Sequence, residues 1–148
     1  MEPYPKYYLY KRLVQAKLFI DSHFAQTIDL NHIADEACFS KFHFIRLFHS
    51  VYGKTPHQYL IAVRLERAAQ LLRAGAPVSK VCYSVGFESQ STFSGLFKRR
   101  LGLSPSTYLA YHQSRRKQIT QAPLQFIPAC FAGKNGWSEN RNFEEGRL

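Results

Sequence analysis

The chain has 148 residues, 45% hydrophobic and 15% aromatic, with a formal net charge of +10 and an isoelectric point near 9.7. That length allows one domain, or two very small ones sharing a core, and no apolar run approaches the roughly 20 residues that span a bilayer. Three cysteines (Cys38, Cys82, Cys130), odd in number and far apart, argue against a disulfide framework and fit a reducing, cytoplasmic compartment.

The N-terminus, MEPYPKYYLYKR, is too polar for a signal peptide, and Met1 to Tyr7 read as a loose start. From about Tyr8 to Phe24, Leu9, Leu13, Leu18 and Ile20 predict an amphipathic first helix. Asp29 can cap a short helix, Leu30 to Ala37, with Leu30, Ile33, Ala34 and Ala37 inward, and Cys38-Phe39 is a tight turn. Ser40 is a good N-cap for a helix that buries Phe44, Leu47 and Phe48. Lys41, Phe42, Ile45, Arg46 and His49 then lie on or near its other face. Cations interleaved with large apolar side chains are odd for a solvated surface and ordinary for a helix in a DNA major groove. Pro56 to about Arg73 reads as a long helix with Tyr59, Leu60, Val63, Ala68, Leu71 and Leu72 inward, stopped by Gly75-Ala76-Pro77. Val78 to Val85 and about Gln90 to Leu101 form two further helices around the turn Gly86-Phe87.

The second half repeats the first. Phe44, Leu47, Phe48, Gly53, Pro56, Tyr59 and Leu60 recur 49 positions later as Phe93, Leu96, Phe97, Gly102, Pro105, Tyr108 and Leu109. Ile33 and Phe39 recur 48 later as Val81 and Phe87, which leaves one extra residue at the second turn. Each copy ends alike, in Gly53-Lys54-Thr55-Pro56 and Gly102-Leu103-Ser104-Pro105: a left-handed helix stop, a cap, and a proline in the next first turn. The expected fold is all-α, two tandem helix-turn-helix units at about 29–60 and 77–109. A linker helix at about 56–73 fixes their separation. From about His112 the period fades, so residues 1–112 read as the domain and 113–148 as a partly irregular extension. Its apolar piece, Leu124 to Phe131, is expected to cover an exposed patch.

Charge is concentrated in the middle. Met1 to Val63 carries seven Lys/Arg against five acids, Arg64 to Lys117 ten against two, and the remainder three of each. That balance favours a polyanion, nucleic acid before membrane. Arg46 has the fork that matches guanine O6 and N7, with a phosphate clamp as its alternative. Phe42 and Ile45 suit thymine methyls, or else the core. Gln90, Ser91 and Ser94 suit a base or a phosphate. Lys41, Lys54, Lys98, Arg99 and Arg100 suit the phosphate backbone. The helix starts at Ser40, Thr55-Pro56 and Ser104-Pro105 can offer backbone N–H groups to phosphates. His32, His43 and His49 with Cys38 lack any metal-binding spacing, so no metal and no cofactor is expected. No phosphate loop, nucleophile elbow or carboxylate pair points to an enzyme. Cys130 is the thiol with most scope for redox sensing.

The tandem units, the linker helix and the stretch GFESQSTFSGLFKRRLGLSPSTYL resemble the DNA-binding domain of AraC/XylS-family transcription regulators of the stand-alone type. The resemblance covers about Tyr8 to Tyr111. It implies about seven helices and two recognition helices in successive major grooves on one face of DNA. Base-reading positions of that family match Phe42, Ile45 and Arg46, then Gln90, Ser91, Ser94 and Gly95. Members often carry Arg at the Gly95 position and Gly at the Cys38 position, and most join the domain to a sensing domain that is not expected here. The implied function is a sequence-specific, double-stranded DNA-binding transcription regulator, nucleoid-associated, with RNA polymerase as a further partner. Its site should be asymmetric and about 20 base pairs long, since major grooves on one face recur roughly every 34 Å. Two rival readings are a small-molecule sensor, its effector held by the aromatic ends or the tail, and a delivery module for a DNA-repair enzyme.

Overall fold

Apolar residues recurring every three or four positions dictate what is seen in the computed structural model, which describes residues 4–36 and 40–134. There are α1 (Tyr4–His23), α2 (Leu30–Glu36), α3 (Lys41–Tyr52), α4 (Pro56–Arg73), α5 (Val78–Ser84), α6 (Gln90–Leu101) and α7 (Pro105–Gln121). A 3-10 turn (Pro123–Phe126) and the short α8 (Ala129–Lys134) follow, and no strand occurs among the described residues. The all-α expectation holds, with seven helices up to Gln121. None of the described helices is long and apolar enough to cross a membrane. Cys38, Phe39, Ala37 and the segment around Trp137 lie outside the described residues.

The core is two clusters that meet on α4. Leu13, Ala16, Ile20, Ile33, Ala34, Phe44, Phe48 and Leu60 form the first. Leu65, Ala68, Ala69, Leu72, Val81, Cys82, Val85, Phe87, Phe93 and Phe97 form the second, and Phe24 packs against both. The 49-residue repeat is realised in the packing. Phe44 and Phe48 stand 5.8 Å apart, ring to ring, with Tyr59 edge-on to Phe48 at 5.7 Å. In the second unit Phe93 and Phe97 stand 5.6 Å apart, with Tyr108 edge-on to Phe97 at 5.4 Å. Such edge-to-face pairs add to the stabilisation from burial itself.

Four sequence expectations change. Helix α1 begins at Tyr4 rather than Tyr8, because Pro5 is tolerated in a first turn, where its missing N–H has no partner to lose. Leu18 is 56% exposed, since the inward row runs Leu13, Ala16, Ile20. On α4, Leu65 and Ala69 are buried while Tyr59, Val63 and Leu71 are only half-buried. Finally, α7 continues through Gln121 although its apolar period ends near His112. Gln, Arg and Lys are good helix formers without burial, and Arg116 anchors the extra turns by donating to the carbonyls of Arg73 and Ala74 at the end of α4. The apolar piece after α7 folds back beside it, with the Arg115 guanidinium over the Phe126 ring.

One glycine is forced by both conformation and space. Gly86 has φ +94°, and a Cβ there would lie 2.9 Å from the Ala25 carbonyl oxygen and 3.0 Å from the Arg64 guanidinium. The Gly86→Ala variant should therefore lose roughly 2–4 kcal/mol of stability in chemical denaturation. Gly53→Ala, left-handed but open around its Cβ, should lose about 1–2 kcal/mol.

A second prediction concerns pH. Burial, and then the charges of Arg73, Arg115 and Arg116, hold His112 below the ordinary histidine pKa. Its stabilising contribution is complete above the unfolded value, about 6.5, and is lost as pH falls toward the folded one. The denaturation midpoint should fall as pH drops below about 6.5, and a His112→Gln variant should flatten that slope.

Candidate nucleic-acid interface

Helix periodicity decides which side chains leave the fold together. On α3, positions 42, 45, 46 and 49 share one row, opposite the buried Phe44 and Phe48. Phe42 is 76% exposed, Arg46 and His49 are exposed, and Ile45 is half-buried at the edge of the row. The equivalent row on α6 is Ser91, Ser94, Gly95 and Lys98, opposite Phe93 and Phe97. Gln90 is exposed at the start of α6 and Ser94 is half-buried. Neither α3 nor α6 contains an acidic residue, and between them they carry five Lys/Arg.

Caps set where each row starts. The Ser40 hydroxyl accepts the His43 backbone N–H at 3.3 Å, and the Ser89 hydroxyl accepts that of Thr92 at 3.4 Å. Thr55 and Gln58 form a reciprocal capping box, and the Ser104 hydroxyl accepts the Thr107 N–H at 3.3 Å. The hydroxyls of Ser40, Thr55 and Ser104 are thus engaged as acceptors in holding their helices. The Ser91 hydroxyl lies 3.0 Å from that of Ser89, drawn toward the cap.

The expected phosphate-contacting cations do not all share a side. Lys41 opens α3 and is exposed, whereas Lys54 is half-buried between α3 and α4. Lys98 and Arg99 continue the outward row of α6. Arg100, also exposed, falls on the row of Phe93 and Phe97 and leaves the helix elsewhere. All three stand in the last turn of α6, where cations complement the partial negative charge of a helix C-terminus.

One structural residue was missed. Arg64, midway along α4, donates through Nε to the Phe24 carbonyl at 2.7 Å and through Nη2 to the Gln26 carbonyl at 2.9 Å. Its guanidinium lies 5.8 Å from the Phe87 ring centroid. Burial lowers its pKa, and the charge of Glu88 works in the opposite direction. It therefore ties the α1–α2 loop of the first unit to the Gly86-Phe87 turn of the second. The available signal was its inward register on α4, three residues after Ile61 and four after Leu60.

Among the described residues no group of three potential ligands is placed to hold a metal; the side chains of His32 and Cys38 are outside them. Cys82 is buried, which pushes its thiol pKa up and away from the reactive thiolate, and Cys130 is exposed.

Two helix pairs of one geometry, each presenting its second helix outward, define a tandem helix-turn-helix protein. A helix-turn-helix domain family matches residues 33–111. The chain is 38% identical over 91 residues to the probable transcriptional regulator LumQ of Photobacterium leiognathi, a match spanning 61% of this chain and 37% of LumQ. It is 31% identical to the regulatory protein SoxS of Salmonella typhimurium, over 67% of this chain and 94% of SoxS. The DNA-binding domain of AdpA, solved in complex with a target DNA, superposes with a TM-score of 0.67 at 34% identity, covering 72% of this chain and 96% of that one. The chain belongs to the AraC-type helix-turn-helix family of DNA-binding transcription regulators. It spans about a third of the length of several curated relatives, 37% of LumQ and 30% of the MmsAB operon regulatory protein of Pseudomonas aeruginosa.

The outward placement of Phe42 has a direct check. Phe42→Ala should shift stability by no more than about 0.5 kcal/mol, whereas Phe44→Ala, at a fully buried ring, should cost roughly 3–5 kcal/mol in the same denaturation assay.

Proposed function

We propose that this chain is a sequence-specific double-stranded DNA-binding transcription regulator that reads an asymmetric site of about 20 base pairs. Support comes chiefly from one observation. Two outward rows, Phe42/Ile45/Arg46 on α3 and Ser91/Ser94/Gly95 on α6, sit on units held at a set separation by a single helix, α4, yet share no side-chain identity. Unlike rows on like units read unlike half-sites, so one monomer occupies both major grooves. In this reading Arg46 takes a guanine edge, Phe42 and Ile45 take thymine methyls, and Gln90, Ser91 and Ser94 contact the second half-site. Lys41, Lys54, Lys98 and Arg99, with the helix starts at Ser40, Thr55 and Ser104, take phosphates, whereas Arg100 leaves α6 on another side. The DNA-binding domain is residues 1–112, with 113–148 as an extension. The protein acts in the cytoplasm, on the nucleoid, recruits RNA polymerase to regulated promoters, and is not an enzyme.

A second reading, a small-molecule sensor, is favoured by a groove of about 550 Å³ at the aromatic end of α1. It is lined by Tyr8, Lys11, Arg12, Gln15, Ala16, Phe19 and Ile33. A ligand-dependent change in DNA affinity separates it from the first.

In-vitro selection from random 30-base-pair duplexes (length set to about three helical turns), with Arg46→Ala in parallel, tests the proposal. The expected result is a bipartite motif in which the variant loses information in one half only, discriminating there by about 1–3 kcal/mol less. Enrichment of nothing, with binding that merely fades as salt rises, would sink sequence-specific readout.

A further inference from the structure

In the 49-residue register Gly95 stands where the first unit has Arg46, and Ser91 and Ser94 stand where it has Phe42 and Ile45. One recognition row is therefore built of long side chains, and its counterpart is nearly bare. A glycine inside a helix is unfavourable: it surrenders more backbone freedom than any other residue and supplies no side chain.

The usual internal reasons for tolerating it do not apply. Gly95 is not among the positive-φ glycines of the chain. It is exposed, and a Cβ built on it meets nothing within 4 Å. Gly86 is the contrast, since its φ and its neighbours both exclude a side chain. Neither the backbone nor the packing of this protein requires glycine at 95.

The surroundings keep the profile low. Ser91 is drawn toward the Ser89 cap, Ser94 is half-buried, and the side chains long enough to reach outward, Gln90, Lys98 and Arg99, stand at the two ends of α6.

We infer that Gly95 is the point of closest approach between α6 and DNA, a specificity-determining position that works by having no side chain. This rests on the DNA-binding reading above. The backbone of α6 at Ser94-Gly95 lies in van der Waals contact with base edges in the second half-site, while Lys98 and Arg99 hold the flanking phosphates. The second unit thus reads the shape and methyl groups of the groove floor, where the first reads through the reach of Arg46. The two units fail in opposite ways: Arg46→Ala weakens binding by removing atoms, and Gly95→Ala weakens it by adding one carbon.

The test uses the full chain and a duplex carrying the selected motif, with thermal melting and fluorescence anisotropy at one fixed salt concentration. Gly95→Ala is expected to melt about 2–5 °C higher, the effect of removing a helix-interior glycine, yet to bind the duplex on the order of tenfold more weakly because the interface is overpacked. Gly95→Arg is expected to lose more affinity still. Unchanged or tighter binding by Gly95→Ala overturns the inference. So does a Gly95→Arg variant that binds as tightly as the parent and gains a guanine preference, since the site would then have had room all along. If the parent chain selects no motif, the DNA-binding reading falls and takes this inference with it, an outcome recognisable before either variant is made.

Discussion

The structure depends on α4 being shared. Its first half contributes Leu60 to one core, and its second half contributes Leu65, Ala68, Ala69 and Leu72 to the other. Neither unit can shift along α4 without tearing a buried row out of its own core, and close-packed interiors resist such changes in discrete steps rather than yielding continuously. Arg64 adds a second tie at the midpoint. Its fork spans two carbonyls of the α1–α2 loop, so a cation that would be costly to bury alone has its hydrogen bonds supplied by the chain. At the ends of α4, Tyr59 donates to the Asp21 carboxylate at 2.7 Å, and Arg73 donates to the Tyr108 hydroxyl at 2.8 Å. Helix α4 is braced along its whole length.

That bracing is what gives the outward rows meaning. Two recognition helices on a floppy joint would have to be ordered by DNA at an entropic cost, and specificity would suffer. Held at a set separation, they impose a spacing on whatever they bind. The caps do the same locally: Ser40 and Ser89 place the start of each outward helix, so the register of each row is decided by a hydroxyl and a backbone N–H. In the proposed reading, the basic character of the middle of the chain supplies attraction without sequence preference, and the rows supply the discrimination.

The ends of the domain follow a different rule. Helix α7 outlasts its apolar period because Arg116 hooks the carbonyls that close α4, so the extension stiffens the far end of the linker helix. Around α1, Tyr7, Tyr8, Tyr10, Val14, Leu18 and Phe19 remain exposed. Taking Leu9, Leu13, Leu18 and Ile20 as one apolar face fails at Leu18, because an aromatic-rich helix offers more than one apolar face and only packing partners select between them.

Much of the architecture was legible because it rests on local rules. Glycine stops, Ser or Thr caps followed by proline, and Phe residues four apart are decided within one or two helical turns, and their recurrence at a constant spacing exposed the two units without any knowledge of contacts. Composition likewise pointed to a polyanion, and Arg46 and Phe42 were identifiable as outward by register against Phe44 and Phe48. Tertiary structure alone decided the rest: that Leu65 and Ala69 are fully buried in the second core while Val63 stays half-buried and Leu71 packs only at its edge, that Arg64 is a joint rather than one more surface cation, that the turn at Gly86 has no room for a Cβ while Gly95 has room on every side. Each of these depends on residues far apart in the chain arriving at one place, and a periodicity cannot report what another helix brings to meet it.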